Sequence, residues 1–177
     1  MTSPRPLRAD AQRNRDLLLA AAARVFAERG TDAPLDDVAR SAGVGNATMY
    51  RHFPTRSDLL AAVYADEVAH LCTRAEELRQ SESPQEALHE WLRLFMDHIT
   101  TKRDLALAAT DQTALHAEWH RSMLDTASGL LDEAKRAGAV RADLDVRDLL
   151  TLVRGITLAA TDQAQAERLL SLVSWGG

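Results

Sequence analysis

Cysteine occurs once, at Cys72, which excludes an internal disulfide framework and any metal or iron–sulfur centre built from clustered cysteines in one chain. Three Phe, two Tyr, three Trp, nine Val and two Ile leave little material for sheets. No apolar run approaches the length of a membrane span, and the first ten residues lack the apolar core of a signal peptide. These gaps predict a soluble, cytoplasmic chain with no membrane partner. What fills the 177 residues instead is alanine (31) and leucine (26), both strong helix formers. The chain is long enough to bury a core without a staple, so the expected fold class is all-α.

Net charge is −5, which alone argues against a polyanion partner. Its distribution says otherwise. Residues 1–60 carry nine arginines against seven acids, a net of +2, whereas the other 117 carry twelve basic against nineteen acidic, a net of −7. Such a chain can turn one part toward a polyanion while the rest repels it.

Thr2 to Arg8 has no period and reads as a flexible basic arm, with Arg5 and Arg8 as its charges. From Asp10 to Arg29 the positions Leu17, Leu18, Ala21, Ala22, Val25 and Phe26 recur at three and four, predicting an amphipathic helix stopped by Gly30. Pro34 opens a short second helix with Asp36 and Asp37 at its positive end, and Gly43 closes it. Thr55 and Asp58 form a capping box before a long helix from Arg56 to about Gln80, and Ser83 with Glu86 forms another before a helix running to about Thr100. Thr101 with Asp104 predicts a short helix to about Ala109, and a longer one covers Ala114 to Ala137. Asp145 and Asp162 open the last two. About nine helices and no strand result.

The segment from Leu35 to Phe53 carries the functional signal. Val38 and Ala39 are followed by Gly43, Val44 and Met49, spacings that suit two short helices crossing steeply around a tight turn. That is a helix-turn-helix, whose second helix, about Asn46 to His52, enters the major groove of duplex DNA. Asn46 can bond bidentately to adenine, and Ala47 and the Thr48 methyl can meet a thymine methyl. Thr48, Tyr50, Arg51 and His52 can reach phosphates or base edges. The competing explanation is a helical hairpin with a solvated polar face.

On these residues the chain resembles the TetR-type transcriptional repressors. Leu18, Ala21, Ala22, Phe26, Glu28 and Gly30 match the family's first helix, and Val38, Ala39, Ala42, Gly43, Val44, Tyr50, His52, Phe53, Leu59 and Leu60 match its helix-turn-helix and the stretch of chain just after it. The resemblance implies a DNA-binding domain over residues 1–55 and a helical ligand-binding and dimerisation domain over 56–177. It implies that Thr48 and Tyr50 contact backbone or bases, that His52 contacts backbone, and that Arg56, where the family commonly has lysine, grips a phosphate. Gly45 stands where a typical member has serine, which removes a hydroxyl cap and leaves Asn46 as the alternative cap.

In the second part, Trp91, Phe95 and His98 share one helix face, and His116, His120 and Met123 another beside Trp119. Two such stripes suit an apolar pocket with a few polar points for a small-molecule inducer, with ordinary core packing as the competing explanation. His116 and His120 stand four apart, with His98 or Glu118 as a third ligand, but no HExxH pattern accompanies them, and no metal or other cofactor is assigned. The last two helices are apolar on more than one face. Leu149, Val153, Ile156, Leu169, Leu170 and Val173 are the expected dimer interface, against the alternative of a purely internal core. The expectation is a sequence-specific, homodimeric transcriptional repressor, released from palindromic operator DNA by a small ligand. The alternatives are a small all-helical enzyme acting on an apolar substrate with a histidine base, or a helical protein-interaction domain.

Overall fold

The structure is a computed structural model that describes residues 5–108 and 113–172, with side chains described for residues 9–80, 82–101 and 117–172. Among the described residues it is all-α, with eight helices: α1 (Arg5–Arg29), α2 (Leu35–Ala42), α3 (Asn46–His52), α4 (Arg56–Ser81), α5 (Pro84–Ala108), α6 (Thr113–Arg136), α7 (Val146–Ala159) and α8 (Gln163–Ser171). The expected all-α architecture, N-terminal helix-turn-helix first, is what the chain adopts. Two compact units divide it, Met1–Asp66 with Asp104–Thr113, and Glu67–Arg103 with Ala114–Gly177, so α4 begins in the first and ends in the second. None of the described helices is long and apolar enough to cross a membrane.

The capping signals work as the sequence predicts. Thr55 N–H donates to Asp58 Oδ2 at 3.0 Å while Asp58 N–H donates to Thr55 Oγ1 at 3.1 Å, so two otherwise orphaned donors at the start of α4 are satisfied reciprocally. Ser83 and Glu86 make the same exchange before α5, and the Ser83 hydroxyl bond holds the Glu86 carboxyl below the usual carboxylate range. Asp145 accepts from the N–H groups of Arg147 and Asp148 at the start of α7, and Asp162 from that of Gln165 at the start of α8.

Two expectations fail. The basic arm is not wholly irregular, because α1 already begins at Arg5; Pro6 lies in the first turn, where a missing N–H costs nothing, and good helix formers come after it. Nor does a new helix start at Thr101. Its hydroxyl donates back to Asp97 O at 2.8 Å, as that of Thr100 does to Met96 O at 3.0 Å, so both threonines serve the helix they stand in and α5 runs through.

The first unit closes around the apolar stripe of α1. Leu18, Leu19, Ala21, Ala22, Val25 and Phe26 are buried, whereas Leu17 faces solvent one position off the stripe. Val38 and Ala39 of α2 and Met49 of α3 are buried on the helices that α1 contacts, and Leu59 and Leu60 of α4 are buried in the same unit. In the second unit the core gathers Leu88, Trp91, Leu92 and Met96 of α5, Ala127, Leu130, Leu131 and Ala134 of α6, Leu149 and Val153 of α7, and Ala166 and Leu170 of α8.

The turn between α2 and α3 demands a left-handed residue. Gly43 has φ +66° and ψ 25°, its N–H reaches back to Arg40 O at 3.1 Å, and the N–H of Val44 reaches Ala39 O at 3.0 Å, which satisfies the last carbonyls of α2. A Cβ at Gly43 meets no atom within 4 Å, so substitution is opposed by backbone strain alone. Gly45, at φ −67° and ψ 144°, is equally open and needs no glycine conformation. Gly43→Ala is therefore expected to destabilise the protein by about 1–2 kcal/mol. Gly45→Ala is expected to cost less than Gly43→Ala, because at this N-cap the poorer capping by alanine is opposed by the restriction of the unfolded chain and no positive φ is involved. Urea midpoints at unchanged slope measure both, and equal effects of the two substitutions are the result that contradicts this account.

Candidate nucleic-acid interface

Seven residues make α3, and one of them, Met49, is fully buried. Gly45 O receives the N–H groups of Thr48 at 2.9 Å and Met49 at 3.0 Å, and Phe53 N–H closes the far end on Met49 O at 2.8 Å. Buried Phe53 lies under the Arg15 guanidinium, 5.7 Å from ring centroid to Cζ. With Met49 and Phe53 turned inward, the remaining positions face out. Gly45, Asn46, Ala47, Tyr50 and Arg51 are exposed, Tyr50 by 46%, while Thr48 and His52 are half-buried. Asn46, Ala47, Tyr50 and Arg51 therefore make up the accessible side of α3, with Thr48 and His52 at its margins. Two basic residues, Arg51 and His52, stand in the last turn of α3, and no acid occupies its first.

Two side chains behave differently from expectation. Asn46 does not cap α3: no side-chain bond closes that N-terminus, and Asn46 Nδ2 donates instead to Asp36 Oδ1 of α2 at 3.0 Å. Arg56, half-buried, donates from Nη1 to Thr31 O at 2.6 Å and to Ala33 O at 2.8 Å. It pins the α1–α2 connection to the start of α4. A neighbouring acid is also used internally. Asp37 takes Arg29 at 2.8 Å and Arg40 at 2.7 Å, so two of the nine N-terminal arginines neutralise one carboxylate. Sequence spacing gives no sign of the Asp36–Asn46 pair, because ten residues and a turn separate them until the two helices cross.

The residues expected to line an inducer pocket lie mostly within the second unit's core. Trp91 is fully buried, its Nε1–H donates to Leu71 O at 3.1 Å, and its ring stacks on Phe95 with centroids 5.5 Å apart and planes 5° off parallel. His98, Trp119 and Met123 are also buried, His120 is exposed, and the His116 side chain lies outside the described residues. An open groove of about 610 Å³ does exist in this unit, but Arg74, Leu78, Glu82, Glu86, His89 and Ser171 are among its walls and none of the expected pocket residues is. Among the described residues no group of three or more His, Cys, Asp or Glu can hold a metal ion.

The expected dimer residues separate into two sets. Leu149, Val153 and Leu170 are buried inside the single chain and so belong to its own core, which corrects their assignment to an interface. Ile156 and Leu169 are half-buried, and Val173 lies outside the described residues. The large apolar side chains exposed on this stretch are Leu152 (45%), Leu158 (54%) and Leu172 (77%), which belong to the same apolar pattern but not to the six residues expected at the interface. Helical period gives two apolar faces here, and only packing tells which is turned inward.

Residues 18–63 match the model of the bacterial regulatory proteins of the tetR family, and residues 83–176 match that of the SbtR-like transcriptional regulator C-terminal domain. The chain belongs to the TetR family of transcriptional regulators. A TetR transcriptional regulator from Streptomyces coelicolor is 42% identical, with 89% of this chain and 94% of that one covered and a TM-score of 0.76. A TetR transcription regulatory protein from Mycobacterium vanbaalenii is 35% identical, with 94% and 96% covered and a TM-score of 0.77. The HTH-type transcriptional repressor LfrR of Mycolicibacterium smegmatis is 44% identical over 63 residues, 36% of this chain and 33% of that protein. This TetR-family protein is a sequence-specific DNA-binding transcriptional regulator.

The Arg56 contacts make a stability prediction. Arg56→Ala deletes two charge-assisted bonds and leaves the carbonyls of Thr31 and Ala33 without that donor, at an expected cost of about 1.5–3 kcal/mol in urea unfolding. A midpoint unchanged from wild type would show that the α1–α2 connection does not depend on this guanidinium.

Proposed function

We propose that this regulator is a homodimeric repressor, acting in the cytoplasm on palindromic double-stranded operator DNA and released by a small-molecule inducer. One observation carries the DNA contact: α3 is fixed from below by Met49 and presents Asn46, Ala47, Tyr50 and Arg51 outward, with Thr48 and His52 at its edge. In this reading residues 1–55 bind DNA and 56–177 bind ligand and partner, with no catalytic role for His98, His116 or His120. Asn46 and Ala47 meet bases, Thr48, Tyr50, Arg51 and His52 meet phosphates or base edges, and Gly45 lets the backbone approach closely. A phosphate contact by Arg56 uses the guanidinium hydrogens not engaged by Thr31 and Ala33.

Two-fold pairing is supported by exposed Leu152 and Leu158 of α7 and Leu172 just past α8, flanked by half-buried Ile156 and Leu169. A dimer sets two α3 helices about 34–36 Å apart, one turn of DNA, or a multiple of that distance. An inducer that favours a different separation shifts the population away from the DNA-competent state by its differential affinity for the two. The buried Trp91, Phe95, His98, Trp119 and Met123 are the inducer residues in this reading, with His116 and His120 on the same helix, and the ligand's identity is left open.

Selection from a random duplex pool tests the proposal. It is expected to enrich an inverted repeat, from which Thr48→Ala and Tyr50→Phe each lose affinity, whereas enrichment of a single half-site would contradict the two-fold arrangement. Filter binding across a salt series checks Arg56: its loss should lower the slope by roughly one per phosphate contact. Leu152→Glu with Leu158→Glu places like charges on the proposed seam while leaving the buried Leu149 and Val153 intact, so sedimentation should move from twice the 19.5 kDa chain mass to the monomer. A wild-type protein that sediments as a monomer at micromolar concentration would defeat the dimer.

A further inference from the structure

Asp36 is the second residue of α2, exposed, and near a surface that must approach phosphates, where a carboxylate is electrostatically unfavourable. Its neighbour Asp37 is neutralised by Arg29 and Arg40. Asp36 has no such cation among the described residues; its partner is the Asn46 amide at 3.0 Å. A free asparagine amide can turn over about its last side-chain bond and exchange donor for acceptor, so by itself it reads a base edge ambiguously. An ionised carboxylate only accepts, so it holds the nitrogen end and disallows the turned-over state.

We propose that Asp36 is a positioning residue for base recognition: it fixes the Asn46 carboxamide so that one N–H and the carbonyl oxygen remain for the DNA, the donor and acceptor that adenine N7 and N6 complete. Asp36 acts through Asn46 and touches no base. The inference rests on the assignment of Asn46 to the base-reading set made above. The electrostatic penalty of the carboxylate has a consequence of its own: removing it strengthens attraction to any duplex while weakening choice among duplexes. A carboxylate that merely supported the fold would move affinity for all sequences together.

The experiment is a base-preference profile of the selected operator, read for the wild type, Asp36→Ala, Asp36→Asn, Asn46→Ala and the Asp36→Ala/Asn46→Ala pair. In the wild type one adenine per half-site should be preferred by roughly tenfold or more. Asp36→Ala should flatten that position to within about threefold and leave the other positions unchanged, while affinity for unrelated duplex rises about two- to threefold at low salt. Asp36→Asn removes the charge and lets the two amides turn over together, so it should flatten the same position, less than Asp36→Ala does because a partner for Asn46 remains, and still gain non-specific affinity. In the Asn46→Ala background, Asp36→Ala should change no preference further. If Asn46→Ala leaves the profile intact, the base-reading assignment of Asn46 falls and this inference with it. If Asn46→Ala flattens one position but Asp36→Ala does not, or if Asp36→Ala lowers affinity for every sequence alike, the positioning role alone is overturned.

Discussion

A helix of seven residues cannot hold itself together in water, since nucleation costs more than so few hydrogen bonds return. The proposed DNA-reading element α3 is that short, so its shape is imposed from outside. Three anchors impose it: Met49 in the core, the left-handed Gly43 that delivers the chain into the turn, and Phe53 under the Arg15 guanidinium at the far end. The arrangement leaves α3 with one inward side chain and several outward ones, a ratio that helices in an ordinary core do not tolerate. Exposure of the polar residues is a result of the anchoring, because so short an element has a single apolar side chain, Met49, to bury.

Much of the positive charge in the first unit is used to hold the fold. Arg29 and Arg40 are used on Asp37, Arg56 on the carbonyls of Thr31 and Ala33, and Arg15 on an aromatic face. Exposed Arg51 has no acid partner among the described residues. A net of +2 therefore understates the cationic surface: exposed Arg13 and Arg24 of α1 also have no acid partner among the described residues, and Arg51 stands at the end of α3, where the carbonyl end of the helix favours positive groups.

Much of this was legible in the sequence because the signals are local. Capping boxes act over three residues, so Thr55–Asp58 and Ser83–Glu86 announce the starts of α4 and α5, and Gly43 announces the turn, before any long-range contact is known. The family resemblance over Arg13 to Leu60 rests on residues that pack and turn, and the comparisons bear it out. Non-local features were not legible. Thr101 looks like a cap until its hydroxyl is seen bonding backward, and Arg56 looks like a free cation until the chain 23 and 25 residues earlier returns to it. The aromatic stripe of α5 is ambiguous for a further reason. A tryptophan buried in a core and one lining a pocket share the same helical spacing, and here Trp91 finds its hydrogen bond on a backbone carbonyl of α4.

The two terminal helices show how a single apolar inventory can serve two purposes. Leu149, Val153 and Leu170 take the inner positions, and Thr157 turns its hydroxyl onto Val153 O at 2.8 Å, so its polarity is absorbed by its own helix. That leaves Leu152, Leu158 and Leu172 outside, with Gly155 exposed between the first two and open around its missing side chain. Fully burying a leucine contributes roughly 1.5–3 kcal/mol, and under two-fold symmetry each such contact is made twice. A few exposed leucines can therefore outweigh the entropy lost on association only if both copies present them together. In the proposed dimer the same leucines couple pairing to DNA reading, since a palindrome is recognised tightly only while two copies of α3 are held at one fixed separation.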